Sequence, residues 1–505
     1  MGPFSMPMFR DFVPKKIRPW IYVFFAFCFL LSGGIYSGTV ADVMGEYSMK
    51  REDVMMVVMC NVVGVAMPFP FLFKMKFAYT NKRLLLNAAL GVGLCNILIV
   101  HTQWLPLMCV LAFASGFFKL CGCFESMSTV QLWMTPKREF AIFFPLLYIM
   151  VLGNGHYLSV WLSEHLSYAF QDWRMMNRLE AGLMLLIIIV LLTCTRHFRF
   201  MKPLPFVSAD YLGFFLWSAV VLEFVFFFNY GEYYNWLDGR PMRQCLVLFV
   251  ITLYICLQRM RHIHHAYIDR KAWNYPRLIP LLILFAFMEL MSSVPQVLQN
   301  RFTGSVLHWG TMTTSVFCLV QWAACVAGCL FVLVWIKVWH QKYTRLLTVG
   351  ALAVAAYPVM MYFLIDPALN IEKFYLPVAL SSFGNAIFFT TLTIYLQELM
   401  PFHHFFMGLT MAGFVRNGPV SALCSGLYSF FMRHQMAAGM ARGLPYDTAG
   451  LTMLSLRQLF GVTCLIGCAV ALVFLLWDIQ PVRKAFKRMP LWPVVGRLVR
   501  IKEGA

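Results

Sequence analysis

The stretch that decides the fold is LIPLLILFAFMELMSSVPQV, residues 278–297. It contains one charged side chain, Glu289, in a run of Leu, Ile, Phe, Met and Val. An α-helix needs about 20 apolar residues to cross the hydrocarbon core of a bilayer. A run of this length and composition therefore predicts a transmembrane helix with a carboxyl group near its middle.

Thirteen further apolar runs lie along the chain, so the sequence predicts an all-α, polytopic membrane protein with about fourteen transmembrane helices. Helices are expected because a lipid-exposed segment must satisfy its own backbone hydrogen bonds, and these runs are too long and too apolar for barrel strands. The predicted spans are 19–40, 53–73, 84–101, 104–124, 140–162, 179–195, 211–228, 244–258, 278–297, 310–336, 346–365, 374–397, 405–431 and 455–477.

The composition agrees with a membrane protein. Of 505 residues, 60% are hydrophobic and 12% are charged, whereas about 25% of residues are charged in a soluble domain. This balance excludes a cytosolic enzyme, a nucleic-acid-binding domain and a disordered chain. The net charge of +19 is attributed to cytoplasmic loops that face anionic lipid. The 15 cysteines lie mostly in apolar runs and are expected to be free thiols, and no metal site or cofactor is predicted.

Lys and Arg are distributed unequally between the two sets of loops. If the N-terminus is cytoplasmic, the inside segments hold 28 of these residues and the outside loops hold 9. Because cytoplasmic loops carry the excess of positive charge, this split predicts an even number of spans with both termini in the cytoplasm. The expected location is the inner membrane, with residues 481–505 as a basic cytoplasmic tail.

Six short stretches occur in an order and at a spacing that resemble a known family. They are IYSGTVADVMGEYS at 35–48, Pro136-Lys137-Arg138, WRMMNRLEAG at 173–182, the set Asp210, Gly213, Gly231 and Trp236, Pro295 with Gln299, and FVRNGPV with Arg416. Together with the fourteen spans they resemble the major facilitator superfamily, and within it the fourteen-helix drug:proton antiporter branch (EmrB/QacA family). Phe73, Ser32 and Ala112 stand where relatives carry Gly, Asp and Arg, so the chain resembles a divergent member.

The resemblance implies the major facilitator fold, with an N-terminal six-helix bundle at 1–200, an inserted two-helix hairpin at 201–270 and a C-terminal six-helix bundle at 271–480. It implies proton-coupled export of hydrophobic or cationic small molecules, that is multidrug efflux, by alternating access. The implied partners are a small-molecule substrate, protons and the lipid bilayer. Relatives in envelopes with two membranes also work with a periplasmic adaptor and an outer-membrane channel.

Two other functions stay open from the sequence. One is a proton symporter or facilitator for a nutrient or metabolite. The other, from a different class, is a polytopic membrane enzyme or an accessory protein. No catalytic signature occurs in the chain, so an enzyme is not expected. The phosphate-binding pattern Gly-x-x-x-x-Gly-Lys-Ser/Thr is absent from the sequence, so ATP is not expected to drive transport.

Carboxyl groups inside the spans are the candidates for proton coupling, because charge within a bilayer is costly and is usually functional. Glu289 lies in the middle of the ninth span, Glu223 in the seventh, and Glu125 at the cytoplasmic end of the fourth. For Glu289 a permanent ion pair is the alternative, and for Glu223 a structural or lipid-facing position is favoured. Arg178 and Glu180 are placed at the outer mouth of the sixth span.

Two cations inside spans, Arg416 and Lys119, are candidates for the substrate pathway. Arg416 matches the Arg that the family carries in helix 13, and Lys119 could replace the missing helix 4 Arg from the next turn. Neutral polar residues could also line a pathway, although hydrogen bonds between helices are their commoner use. The candidates of this kind are Asn61, Gln296, Gln299 and Asn385.

Overall fold

The computed structural model describes residues 6–135, 139–199, 210–263, 266–339, 343–442 and 448–478. Two sequence predictions therefore lie outside the described residues, namely the turn at Pro136-Lys137-Arg138 and the basic tail 481–505.

The described chain forms α-helices joined by short turns. They are α1 Arg18–Leu31, α2 Val40–Tyr47, α3 Arg51–Ala66, α4 Phe69–Ala78, α5 Asn81–Ile99, α6 Leu105–Met134, α7 Phe140–Tyr148, α8 Ser159–Phe170, α9 Met175–Cys194, α10 Tyr211–Tyr230, α11 Arg240–His262, α12 Leu278–Val294, α13 Asn300–Ser305, α14 Thr311–Lys337, α15 Tyr343–Leu364, α16 Glu372–Leu399, α17 Phe402–Val415, α18 Ser421–Ala441 and α19 Thr448–Asp478. Three π-helical segments join helices end to end, and they are Ile149–Leu158, Pro295–Gln299 and Arg416–Val420.

Length and hydropathy identify the helices that can cross a bilayer. Within the described ranges eleven helices qualify, and a helix that continues through a π-helical segment is counted once. Helices α3 and α4 meet at a bend of 56° and give a twelfth if they are counted as one span. The chain is therefore an all-α, multi-pass membrane protein. Of the other predicted spans, the first is a helix of only 14 residues, and the thirteenth, 405–431, falls on α17, α18 and the π-helical segment between them. The count of fourteen spans remains a prediction.

The first predicted span, 19–40, is broken in the structure, and the reason lies in two adjacent glycines. Helix α1 ends at Leu31, because glycine is about 1 kcal/mol less favourable than alanine in a helix interior. Gly34 has a φ of +76°, a conformation that glycine adopts readily. The Gly33 N–H donates a hydrogen bond to the Tyr36 hydroxyl at 3.1 Å. The chain then continues as a short 3₁₀ turn and α2.

Contacts divide the chain into two units. Unit 1 comprises Met1–Asp269 with Leu409–Pro419, and unit 2 comprises Arg270–Gly408 with Val420–Ala505. Large apolar side chains fill the core of unit 2, among them Phe302, Tyr357, Phe374 and Phe460. The contacts group α10 and α11, which lie within the predicted hairpin 201–270, with the N-terminal helices. The division into two six-helix bundles and a hairpin remains a prediction.

Within unit 1, the turn after α11 is attached to the bend between α3 and α4. The Tyr267 hydroxyl donates a hydrogen bond to the Met67 carbonyl at 2.5 Å, and Tyr267 is buried. Pro68 follows Met67 and has no backbone N–H, so helical hydrogen bonding is interrupted at this bend. Tyr267 therefore attaches the hairpin of α10 and α11 to the first helices, together with the hydrogen bond from the Tyr230 hydroxyl to Asp53.

Candidate functional site

The break at the end of α1 leaves backbone carbonyls without helical partners, and buried side chains bind them. The Lys119 ammonium group, on α6, donates a hydrogen bond to the Ser32 carbonyl. Asn177 Nδ2, on α9, donates to the Gly34 carbonyl at 2.6 Å. Buried carbonyls at helix ends need such donors. Polar side chains of α6 and α9 therefore hydrogen-bond to the backbone at the end of α1.

A third helix completes this polar cluster. Asn96 Nδ2, on α5, donates to the Ser32 hydroxyl at 3.1 Å, and Asn177 Nδ2 lies 3.3 Å from Asn96 Oδ1. Ser32 and Asn96 are completely buried, and Asn177 is 1% exposed. Four helices of unit 1, namely α1, α5, α6 and α9, therefore meet in a connected set of polar groups inside a membrane-embedded bundle.

Glu180 is the exceptional member of this cluster. It lies three residues after Asn177 on α9 and has no exposed surface. Neither of its carboxylate oxygens has a hydrogen-bond partner among the described residues. The Lys119 ammonium lies within electrostatic range, yet beyond the distance of an ion pair. Buried polar groups are nearly always hydrogen-bonded, so an unpartnered carboxyl group at this depth needs a functional explanation.

The sequence placed Glu180 at the outer mouth of the sixth span, and the structure adds that this side chain is completely buried on α9. Helix α9 begins at Met175, four residues before the predicted span. The signal was present in the spacing of the residues that α9 buries, which are Met176, Asn177, Glu180, Met184, Ile187 and Leu191. Steps of three and four residues place all of them on one face of a helix, so Glu180 belongs to the packed stripe.

Glu125, a predicted proton-coupling residue, lies in a separate buried cluster of unit 1. Its carboxylate accepts a hydrogen bond from Asn81 Nδ2, and Lys76 Nζ lies 3.6 Å from Oε2. Glu125 is 1% exposed. Glu125 therefore has an ion pair and one hydrogen-bond donor, and only its Oε2 lacks a hydrogen bond, whereas both carboxylate oxygens of Glu180 lack one.

Two other predicted residues of unit 1 have partners between helices. Glu223 Oε1, on α10, accepts a hydrogen bond from Thr252 Oγ1 at 3.3 Å, and the side chain is half-buried. Asn61 Nδ2 donates to the Ala112 carbonyl at 3.0 Å, and Asn61 is buried. Both contacts join neighbouring helices, which is the common use of polar side chains in membrane bundles.

The remaining neutral and acidic candidates belong to unit 2. Glu289 is half-buried on α12 and lies within electrostatic range of Cys424. Gln299 Oε1 accepts a hydrogen bond from the Tyr357 hydroxyl at 2.8 Å. Gln296 is half-buried, as is Asn385 on α16. The structure does not bring these four residues into the cluster around Lys119.

Two of the three π-helical segments, Pro295–Gln299 and Arg416–Val420, coincide with stretches already marked in the sequence, and π-helical turns are frequent at functional sites. Arg416 begins the third segment and is half-buried. His156 lies in the first segment, is exposed, and is within electrostatic range of both Arg416 and Lys119. Sequence reasoning missed His156, because a single histidine beside a GNG stretch carries no spacing signal.

The comparisons with known proteins identify the fold. Neither a family model nor a curated protein matches the chain. The chain is similar to the nucleoside transporter NupG, at 10% identity and a TM-score of 0.55, over 91% of this chain and 99% of that one. It is also similar to an auto-inhibited POT family peptide transporter, at 14% identity and a TM-score of 0.55, over 91% of this chain and 97% of that one.

A second POT family transporter, PepTSo, matches at 14% identity with a TM-score of 0.56, over 91% of this chain and 99% of that one. At such identities the similarity shows the fold alone. The chain therefore has the major facilitator fold, which these transporters share, and it is a multi-pass membrane protein.

Proposed function

We propose that this chain is a proton-coupled secondary active transporter, and that Glu180 and Lys119 form its proton-binding pair. The observation that carries the proposal is the Glu180 carboxyl group, which is fully buried and unpartnered among the described residues. Ionisable residues inside membrane spans commonly form proton relays. An isolated carboxyl group beside an ammonium group can bind or release a proton without displacing another hydrogen bond.

The position of Lys119 connects this proton to the shape of α1. With Glu180 protonated, the Lys119 ammonium is free to hold the Ser32 carbonyl at the helix end, as the structure shows for that hydrogen bond. When Glu180 loses its proton, the carboxylate attracts the ammonium more strongly. The Lys119–Ser32 hydrogen bond then weakens, and the end of α1 can change its conformation. Proton release is in this way coupled to a helix that can move during alternating access.

The substrate and the direction of transport are a separate part of the proposal. The resemblance to drug:proton antiporters supports multidrug export from the cytoplasm across the inner membrane, together with a periplasmic adaptor and an outer-membrane channel. Proton symport of a metabolite is the second candidate, and the cationic residues Lys119 and Arg416 in unit 1 favour it, since they would repel a cationic drug. Glu289, Glu223 and Glu125 stay as additional proposed proton sites.

The test replaces Glu180 with Gln, which keeps the shape but cannot ionise. Infrared difference spectra of the full-length protein in lipid, recorded across a pH titration, report protonated carboxyl groups without any substrate. We expect Glu180→Gln to remove one titrating carboxyl signal. We also expect it to slow proton flux in vesicles by about 100-fold, the usual order for loss of a proton-transfer group.

Glu289→Gln is the matched comparison, because Glu289 was the strongest candidate in the sequence. We expect it to keep the titrating signal that Glu180→Gln loses. If Glu180→Gln folds, elutes as a single species and couples proton flux as well as the wild type, the assignment of the proton site is wrong. Loss of the signal in Glu289→Gln instead would move the site to unit 2.

A further inference from the structure

Residues 6–17 form a strap that lies across the end of a membrane-spanning helix. The Arg10 N–H donates a hydrogen bond to the Cys194 carbonyl at 2.9 Å, and the Arg196 N–H donates to the Met8 carbonyl at 2.8 Å. Cys194 is the last residue of α9, which is long and apolar enough to cross a bilayer. The strap then runs directly into α1. It is therefore located where helices of unit 1 leave the hydrocarbon core.

One side of the strap is packed tightly against unit 1. Met6, Met8 and Phe9 are at most 1% exposed. The Phe9 ring lies 5.3 Å from the ring of Tyr22 on α1, in an edge-to-face arrangement that stabilises aromatic pairs beyond their burial. The Tyr22 hydroxyl in turn donates a hydrogen bond to Asn81 Oδ1, on α5, at 2.5 Å. The strap is thus part of the folded structure.

Other side chains of the strap and of the first turn of α1 are exposed. The exposed fraction is 67% for Phe12, 51% for Ile17 and 66% for Trp20. Lys15 and Lys16 are also exposed, and neither has a hydrogen bond or an ion pair within the part of the chain that the structure describes. We call these side chains the strap surface. Large apolar groups beside unpaired lysines are typical of segments that bind a membrane surface.

The charge of the strap identifies what binds there. Its only acidic residue, Asp11, is paired with Arg196 at 2.7 Å, so Asp11 does not neutralise the lysines. Cations beside a membrane-spanning helix attract anionic headgroups, and Trp is enriched at the same depth of the bilayer. A two-fold contact with a second copy of this chain would instead bring like charges together. We propose that the strap surface is a docking site for the phosphate-bearing headgroups of anionic phospholipids.

Headgroup binding acts on the fold of unit 1, because the buried side of the strap is bonded to α9 and packed on α1. A lipid that binds only the docked strap stabilises the folded protein. A detached basic segment would bind the same lipid in the unfolded chain and would not change the unfolding midpoint. This inference goes beyond the proposed transport function and does not depend on the proton-binding pair.

The experiment uses the full-length protein in a nonionic detergent. The probes are dioleoylphosphatidylglycerol, dioleoylphosphatidylcholine and glycerol 1-phosphate, which has the anionic group but no acyl chains. Thermal unfolding measures stabilisation, and native mass spectrometry counts bound lipids. We expect only phosphatidylglycerol to raise the midpoint and to stay bound. Its affinity should fall when the salt concentration rises from about 0.05 to about 0.5 M, because exposed charges are screened.

Paired variants test the residues of the strap surface. Lys15→Gln combined with Lys16→Gln should weaken phosphatidylglycerol binding about 30-fold, since each cation near an anionic headgroup contributes about 5-fold. Phe12→Ser should also weaken it, because an apolar anchor is lost. The control combines Lys373→Gln with Arg442→Gln, which removes the same charge from exposed positions of unit 2. We expect the control to bind the lipid as the wild type does.

Phe9→Ala distinguishes a docked strap from a loose one. It keeps both lysines but removes the ring packed on Tyr22, so the lipid should stay bound while its stabilising effect declines. If Phe9→Ala does not fold, the lysine variants still decide. Equal stabilisation by phosphatidylcholine, stabilisation by glycerol 1-phosphate alone, or an unchanged affinity in the double lysine variant would each overturn the proposal. A lipid-independent dimer that the double lysine variant loses would assign the surface to a second copy instead.

Discussion

Asp210 shows how one side chain can fix several segments of a membrane protein. Its carboxylate accepts hydrogen bonds from Arg259 Nη2 at 2.6 Å, from the Gly213 N–H at 2.8 Å and from the Tyr267 N–H at 3.0 Å. It caps α10 and ties that helix to α11 and to the following turn. Burial by itself would raise the pKa of Asp210, but the donors, Arg259 foremost, outweigh burial and lower the pKa below its ordinary value.

Asp210→Asn should therefore destabilise the protein substantially. The change removes the charge pair with Arg259 and weakens the helix cap, and we expect a loss of about 2–4 kcal/mol in the free energy of unfolding. Chemical denaturation in detergent measures this loss. Asp11→Asn is the control, because Asp11 pairs with Arg196 at 2.7 Å but has a side chain that is 93% exposed. Exposed pairs contribute about 1 kcal/mol or less, and an equal effect of both changes would contradict the argument.

The same residue gives the protein a pH dependence of predictable sign. Because the folded-state pKa of Asp210 lies below 3.8, the ionised carboxylate stabilises the fold at pH values above 3.8. This contribution declines as the pH falls below 3.8 and through the folded-state pKa. The stability difference between wild type and Asp210→Asn should accordingly shrink on acidification. A difference that grows towards acid pH would contradict this assignment.

At the scale of helices, glycine decides how closely α3 and α6 can pack. A Cβ atom placed on Gly116 would lie 2.2 Å from the Asn61 carbonyl oxygen, and one on Gly64 would lie 2.2 Å from that of Phe113. Carbonyl groups of one helix thus lie directly against glycines of the other, in both directions. Small residues at such crossings allow close approach of transmembrane helices.

Gly116→Ala should force α3 and α6 apart and cost about 1–3 kcal/mol of stability, as overpacking does. Gly182→Ala is the matched control on α9, since a Cβ there meets nothing within 4 Å. Alanine is favoured over glycine in a helix by about 1 kcal/mol, so this control should leave stability unchanged or raise it. Thermal unfolding of both variants measures the difference in stability. Equal melting temperatures would show that the contact between α3 and α6 accommodates an added methyl group without strain.

Individual helices show which features a sequence can reveal. The span 278–297 was predicted because an apolar run of this length has few other stable structures in a membrane, and α12 covers most of it. The lengths of the apolar runs gave the all-α, multi-pass assignment, which is confirmed. The break in α1 was missed, since the apolar run continues through Gly33 and Gly34 and a hydropathy average does not register backbone conformation.

The candidate site could be predicted only in part. Lys119 was found because a charge inside an apolar run is visible in the sequence. Glu180 was placed at the outer mouth of the sixth span, since Asn177, Arg178 and Glu180 lower the local hydropathy and the apolar run begins only after them, and its complete burial was not predicted. Which polar residues converge depends on how α1, α6 and α9 face one another, and one sequence does not specify helix facing. The predicted roles of Glu289 and Arg416 remain predictions.

At the scale of the whole molecule, charge should orient the chain in the membrane. The predicted inside segments hold 28 Lys and Arg against 9 outside, and about 1 kcal/mol is gained for each cation near an anionic leaflet. An even number of crossings then places both ends of the chain in the cytoplasm.

Reporter insertions that keep the full chain test this orientation. We expect alkaline phosphatase inserted after Asp238, in the turn between α10 and α11, to be active, because that turn should lie outside. Green fluorescent protein should fluoresce after Asn274, between α11 and α12, and after Asp478, where α19 ends. Exchanging the two reporters at each site is the control and should abolish both signals. Active phosphatase after Asp478 would mean an odd number of crossings or an inverted chain, and the positive charge would then lie on the outer face.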